Sequence, residues 1–219
     1  MKKKFCHVEL PFELQTYEKV NINGKRHYKC PNGVYPSITT TLGSTADKSY
    51  LEKWKQKIGE DYAAKITAVS GGRGTNMHQL CEDYLNNNPL SIKMPDALEL
   101  FYSIKPLLNR IDNIHCQEKS LYSDKIKIAG SVDCIGEFDN VLSVIDFKNS
   151  RRIKKEEDIL DYFTQATFYA LAYQEMTGIT ISQIVIIIAV ENENPQYFVK
   201  QIRPYIKGLV DRRKMFNLL

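Results

Sequence analysis

Hydrophobic and polar positions along this 219-residue chain change period several times, and each change marks an expected element. Over roughly the first 40 residues, short alternating runs such as Lys25–Cys30 lie among the pairs Asn23-Gly24 and Asn32-Gly33. Such pairs tolerate the positive φ of tight hairpin turns, which predicts a β-rich N-terminal extension. Pro36-Ser37-Ile38-Thr39 then leads into helical patterns at about Lys48–Val69, Thr75–Asn87 and Pro95–Ile114. Ser70-Gly71-Gly72-Arg73-Gly74 reads as a loop, with Thr75 as the N-cap of the helix after it. Strand-like runs follow at Cys116–Tyr122, Ile126–Phe138 and Val141–Lys148. A long helix is expected over Glu156–Thr177, with Gly178 placed to end it. Ile181–Val190 is a nearly unbroken apolar run, the mark of a strand buried on both faces. A strand near Tyr197–Ile202 and a helix from about Pro204 complete the order. The pattern predicts an α/β fold in which a mixed central sheet is flanked by helices, with an N-terminal β-hairpin extension. No repeat or flexible linker divides it, so residues 1–219 are expected as one domain: a β-rich extension (1–40), a helical region (41–115) and a core (116–219).

Composition narrows the class only modestly. Hydrophobic residues at 43% and charged residues at 26% are ordinary for folded soluble chains, which excludes disorder, collagen-like repeats and disulfide scaffolds. A formal charge of +4 permits a polyanionic partner without demanding one. The five cysteines are an odd number, scattered without CxxC or zinc spacing, and are read as reduced thiols. The start, Met1-Lys2-Lys3-Lys4-Phe5, is basic but is not followed by an apolar stretch of signal-peptide length. Ile184–Val190 is too short to span a bilayer. No membrane association and a cytoplasmic location are therefore expected.

The chemistry concentrates in one hairpin. If Asp139-Asn140 is a two-residue turn, Phe138 faces Val141, Glu137 faces Leu142, Gly136 faces Ser143, and Asp133 falls opposite Asp146. Ser131 then falls opposite Lys148, and strand alternation puts Asp133, Asp146 and Lys148 on one face. Opposed carboxylates sit with Cβ atoms about 5 Å apart and repel, so they need a reason to be there. A hard divalent cation such as Mg²⁺ or Mn²⁺ supplies one, and Lys148 beside it can position a nucleophile or neutralise a transition state. A second two-residue turn at Asp124-Lys125 would bring Glu118 opposite Ser131 on the same face, although Ser123–Lys127 can close in several ways. Acid–x–Lys in a strand is usually a solvated face, but Val144-Ile145-Asp146-Phe147 reads as buried, and buried charges have partners. Tyr162, Gln165, Tyr169 and Tyr173 form a stripe along the long helix, and His78 and Glu82 share a helix face at i and i+4. The basic run Arg151-Arg152-x-Lys154-Lys155 follows directly, so Ser150, Arg152 and Lys154, with Arg73 more remotely, are candidate phosphate contacts.

Gly74-Thr75-x-x-His78, Glu118, Gly130-x-x-Asp133, Asp146-x-Lys148 and Gln165-x-x-x-Tyr169 occur in one order, covering with the lead-in Tyr35-Pro36-Ser37-Ile38-Thr39 and Trp54 about residues 35–173. This set resembles the PD-(D/E)XK nuclease superfamily, in particular its RecB-like exonuclease branch. The lead-in looks like that of phage and mitochondrial genome-maintenance exonucleases. The resemblance implies a restriction-endonuclease-like core and catalysis by Asp133, Asp146, Lys148 and His78. It implies Mg²⁺ or Mn²⁺ held by Asp133, Asp146 and the Phe147 carbonyl, with Glu118 and His78 beside it. It places the helix that carries Gln165 and Tyr169 against the site and the DNA; Tyr173 is read as core, and Glu82 as structural or as a group that orients His78. Some relatives carry an iron–sulphur cluster on four cysteines, several near the C-terminus. No cysteine follows Cys134, so no cluster is expected. The implied function is a metal-dependent DNA exonuclease acting on single strands or ends in replication, recombination or repair, with replication or recombination proteins as possible partners. A bacterial or phage-infected cytoplasm is the expected setting. A structure-specific endonuclease and a catalytically silent DNA-binding module are the alternatives. An arch threaded over the site by the helices before His78 would favour the exonuclease.

Overall fold

The computed structural model describes residues 3–91 and 94–218, so Met1 and Lys2 of the basic start lie outside the described residues. Strands β1 (Lys19–Ile22), β2 (Lys25–Cys30) and β3 (Gly33–Pro36) form an antiparallel sheet. Asn23 and Gly24, at φ +51° and +75°, close the first hairpin as the sequence predicts. The second closes through Pro31-Asn32 instead of Asn32-Gly33, because Gly33 already pairs with Cys30.

Helices α1 (Ile38–Thr45), α2 (Ser49–Ile58), α3 (Glu60–Leu85) and α4 (Pro95–Leu108) follow. The Ser37 hydroxyl caps α1 by accepting from the Thr40 N–H. The single helix expected over Lys48–Val69 is broken at Gly59, whose φ of +86° no ordinary helical residue adopts. The loop expected at Ser70–Gly74 is instead continuous helix, and Thr75 is no N-cap: its hydroxyl turns back to the Gly71 carbonyl. Contact with a distant strand overrides glycine's poor helix propensity here. A Cβ on Gly74 would lie 2.7 Å from Asn149 Oδ1, and Asn149 Nδ2 donates to the Ser70 carbonyl at 3.3 Å. The helix expected to reach Ile114 ends at Leu108, and the chain is already in strand at Ile111.

The core sheet comprises β4 (Ile111–Ser123), β5 (Ile128–Phe138), β6 (Val141–Ser150), β7 (Gln183–Val190) and β8 (Gln196–Gln201), in that spatial order. A single 3₁₀ turn, Glu156–Ile159, precedes α5 (Leu160–Thr177), which ends at Gly178 in the left-handed conformation expected for it. Helix α5 is the crossover that lets β7 run parallel to β6, the one parallel pairing among these five described strands. A last helix, α6 (Ile206–Phe216), closes the order.

One sheet face packs Val132, Ile135, Val144, Ile184, Ile186 and Ile188 against Phe163, Tyr169 and Tyr173 of α5. The other packs Cys134, Phe138, Ile145, Phe147, Val185 and Ile187 against α3 and α4. Strand β7 is therefore buried on both faces, as its apolar run predicts. The N-terminal sheet leans on β5 through Tyr28, Tyr35 and Ala129. Arg212 of α6 donates to the Thr45 hydroxyl and the Leu42 carbonyl of α1 and pairs with Asp161 of α5 at 2.9 Å, joining three helices.

Candidate active site

The β5–β6 hairpin keeps the expected register, from Phe138↔Val141 at the turn to Cys134↔Ile145. Asp139 and Asn140 both take positive φ, +51° and +64°. The paired ladder ends one step before Asp133 and Asp146, so the two strands part where the carboxylates sit. Asp133 Oδ2 takes the Phe147 N–H at 2.8 Å, using a donor that the hairpin ladder leaves free. Asp146 has no exposed surface, and apart from Lys148 neither of its oxygens has a hydrogen-bond partner among the described residues. The Lys148 ammonium touches Asp146 Oδ2 as an ion pair and lies 5.2 Å from the centre of the Tyr162 ring. From the opposite side, α3 brings His78 Nδ1 to 3.5 Å from Asp133 Oδ2, with its ring edge-on to Phe147.

Glu118 arrives by a different register from the one expected. Ser123 pairs with Ile128, so the β4–β5 loop has four residues, Asp124 to Lys127, instead of two. The shift is two positions, and an even shift leaves a strand residue on its original face. Glu118 therefore stands level with Asp133, between the pairs Gln117↔Cys134 and Lys119↔Val132. Its φ of +49° is rare for a residue with a Cβ, and its carboxylate accepts from the Ser131 hydroxyl at 3.5 Å. Ligand atoms of His78, Glu118 and Asp133 all lie within 4.8 Å of one another.

Opposing effects set the charge states. Burial alone would raise Asp133, but His78, Lys148 and the Phe147 N–H together hold its carboxyl below the ordinary value. Burial raises Asp146, with the Asp133 charge adding to it and Lys148 opposing. Burial and then Asp133 push Glu118 up to about 7. Burial would lower His78 and Lys148, yet both are raised by the carboxylates beside them. A buried carboxylate with Lys148 as its one partner among the described residues, beside two more acids and an imidazole, is costly unless a further cation completes the group. Oxygen ligands with one imidazole suit a hard or borderline divalent ion. The residues present fit such an ion.

These groups open onto a cleft of about 670 Å³ lined by His78, Glu82, Glu118, Asp133, Lys148, Gln165 and Tyr169 among others. Two glycines shape it. Gly74 admits Asn149, and a Cβ on Gly130 would stand 2.8 Å from Tyr169 Cε1. Gln165 donates to the Tyr169 hydroxyl at 3.4 Å, so the expected pair does reach the cleft. Tyr173 is fully buried in the core as expected, its hydroxyl at 2.8 Å from His115 Nδ1. Four expected phosphate contacts do not line the cleft. Arg73 is buried and paired with Glu191 at 3.2 Å, because its helix turn faces the end of β7. The Ser150 hydroxyl bonds the backbone of Arg152, and the backbone of Lys154 bonds the Gln196 side chain, which fixes the chain's exit from β6. The cleft instead carries Lys19, Arg26 and Asn149, which no local sequence signal marks.

A strand-parting carboxylate pair with a half-buried lysine, set on this mixed sheet, defines a nuclease core. The chain belongs to the PD-(D/E)XK nuclease superfamily, whose sequence pattern matches residues 86–202. It is similar to mitochondrial genome maintenance exonuclease 1 of Xenopus tropicalis, 27% identical over 205 residues, covering 87% of this chain and 58% of that protein. The human protein of that name is 28% identical over 145 residues, covering 62% of this chain and 40% of its own length. The chain thus spans little more than half of these relatives at most. A solved structure of an exonuclease candidate from Eubacterium rectale superposes with a TM-score of 0.44 at 12% identity, covering 67% of this chain and 64% of the other. The expected cytoplasmic setting in a bacterium or phage-infected cell is overturned: these curated relatives are animal proteins named for mitochondrial genome maintenance. Among the described residues no helix is long and apolar enough to cross a membrane.

Proposed function

We propose that residues 1–219 act as one nuclease domain, a divalent-metal-dependent DNA exonuclease that hydrolyses phosphodiester bonds on single strands or at ends. The observation that carries this reading is Asp146, fully buried and partnered among the described residues by Lys148 alone, beside the His78–Glu118–Asp133 cluster. Asp133, Asp146, Glu118 and His78, with the Phe147 carbonyl, would hold Mg²⁺ or Mn²⁺. When bound, such an ion polarises a phosphoryl oxygen and makes water a stronger nucleophile at neutral pH. The protein's own groups do the rest. His78 and the Phe147 N–H fix the Asp133 carboxylate in one orientation. Lys148, held between Asp146 and the Tyr162 ring, presents a fixed cation to charge that develops on the phosphate. The names of the relatives support exonuclease action and a role in DNA maintenance. The exposure of α2 and of the first turns of α3 supports an arch beside the strand's path.

The test is incubation with end-labelled single-stranded and duplex DNA in Mg²⁺, Mn²⁺ or EDTA, beside Asp146→Asn and Lys148→Met. Metal-dependent laddering from one end is expected, with each variant slower by about 100-fold or more. Both variants should retain a cooperative melt. DNA binding without cleavage under every metal condition would sink the reading and leave a silent binding module in its place.

A further inference from the structure

The walls of the cleft differ in kind. On the α3 side Gly71, Gly74 and Thr75 offer little beyond helix backbone, and His78, Gln79 and Glu82 add an imidazole, an amide and an acid but no lysine or arginine. Another wall comes from the N-terminal sheet. Its pairs Lys19↔Tyr28 and Asn21↔Arg26 put Lys19 and Arg26 on the face that carries Tyr28, and Tyr28 is buried against Ala129 of β5. Alternation sends Lys25, His27 and Lys29 to the other face.

Lys19 and Arg26 are exposed, both line the cleft, and neither is in an ion pair among the described residues. The third fixed cation of the cleft, Lys148, is engaged by Asp146, and Lys29 on the far face is engaged by Glu18 at 2.9 Å. Both free cations are nonetheless held in place. The Lys19 ammonium lies 5.9 Å from the centre of the Tyr28 ring, and Arg26 donates to the Thr39 hydroxyl at 2.7 Å. Glu82, Glu118 and Asp133 line the same cleft and repel a polyanion, so a strand entering it needs compensating charge close by.

We propose that the N-terminal sheet is the phosphate-holding wall of this cleft, with Lys19 and Arg26 gripping the backbone of single-stranded DNA and setting it over Asp133 and Lys148. This rests on the nuclease reading above and adds to it the surface that fixes the strand's position. Two phosphate contacts are assigned, and both belong to a part of the chain outside residues 86–202, where the family pattern lies.

The experiment compares the intact chain with Lys19→Ala/Arg26→Ala and with Lys25→Ala/Lys29→Ala, which changes the opposite face of the same sheet. Binding of a fluorescent 20-nucleotide single strand is followed by anisotropy in EDTA across a salt series, and melting temperature checks the fold. Each lost phosphate contact lowers the slope of log K against log salt by about 0.7, so the first double variant should lose about 1.4. With Mg²⁺ its KM should rise about tenfold while kcat stays within about twofold. Lys19→Arg/Arg26→Lys should recover the slope, and the opposite-face variant should match the parent. An unchanged slope in the first variant, or an equal loss in the opposite-face variant, overturns the proposal. A parent chain that binds but never cleaves sinks the nuclease reading and leaves the slope comparison intact. Cleavage by the parent with an unchanged slope sinks this wall alone.

Discussion

The two halves of α3 share one hydrogen-bonded ladder and almost nothing else. From Arg73 to Leu85 the helix buries Arg73, Gly74, Met77, Leu80, Cys81, Tyr84 and Leu85 against the sheet and α4. From Glu60 to Gly72 only Ala63 is buried, and Tyr62 and Val69 stand 60% and 61% exposed. Helix α2 before it has no buried side chain among those described. Helical stability in proteins comes mainly from packing of one face, so the inner half is rigid and the outer half is held by little beyond its own backbone. The rigid half carries His78 to Asp133. The difference teaches that one helix serves two ends: a fixed stretch that orients the Asp133 carboxylate, and a loosely held stretch beside the path a substrate would take.

The largest effect that sharpens this contrast is on rate. His78→Ala on the inner half should lower kcat by about 10- to 100-fold, since partners that orient a metal ligand carry that weight. Tyr62→Ala on the outer half should leave hydrolysis of a short oligonucleotide within about twofold. Steady-state kinetics on both variants decides it, and equal effects would erase the distinction. Next come the glycines. Gly74→Ala drives a Cβ into Asn149 and should destabilise by about 1–3 kcal/mol, relieved in part by Asn149→Ala. Gly71→Ala meets open space and should stabilise the exposed helix by up to about 1 kcal/mol. Urea unfolding of the two gives opposite signs if the halves differ as described.

The smallest effect lies at the boundary, where Arg73 pairs with Glu191. The Arg73 hydrogen bond holds the Glu191 carboxyl below its ordinary value of 4.5. A depressed carboxylate stabilises the fold fully above that ordinary value and loses its contribution as pH falls through the folded value. Glu191→Gln should therefore melt lower than the parent at pH 7, by about 1 kcal/mol at most because Glu191 is partly exposed. The gap should close in acid. A gap that stays constant with pH would mean that the pair does not hold the boundary.

The hairpin was legible because its register is set locally. A two-residue turn of Asp139 and Asn140 dictates every pairing up to Cys134↔Ile145 without help from the rest of the chain. The parting of the strands at Asp133 was not legible, since it depends on the Phe147 N–H bonding the Asp133 side chain instead of the β5 backbone. Gly71-Gly72-Arg73-Gly74 misread as loop because the reasons for helix there are remote: Asn149 fills the space Gly74 leaves, and Glu191 neutralises Arg73. Lys19 and Arg26 carried no signal because their relation to the site depends on how one sheet packs on another. Local rules exposed the acids, while the cations around them came from tertiary structure.

Arg212 sets a schedule for the molecule as it is made. Its guanidinium secures the C-terminal end of α1, the helix whose first turn, with Ser37 and Thr39 beside it, borders the cleft. On a ribosome, the residues proposed to hold the metal, none later than Phe147, emerge long before that clasp. A nascent chain can thus hold its acids and its lysine while the mouth around them is unfinished. Completion of the cleft waits for α6, so a chain cut short of Arg212 should fold its sheet and remain a poor enzyme.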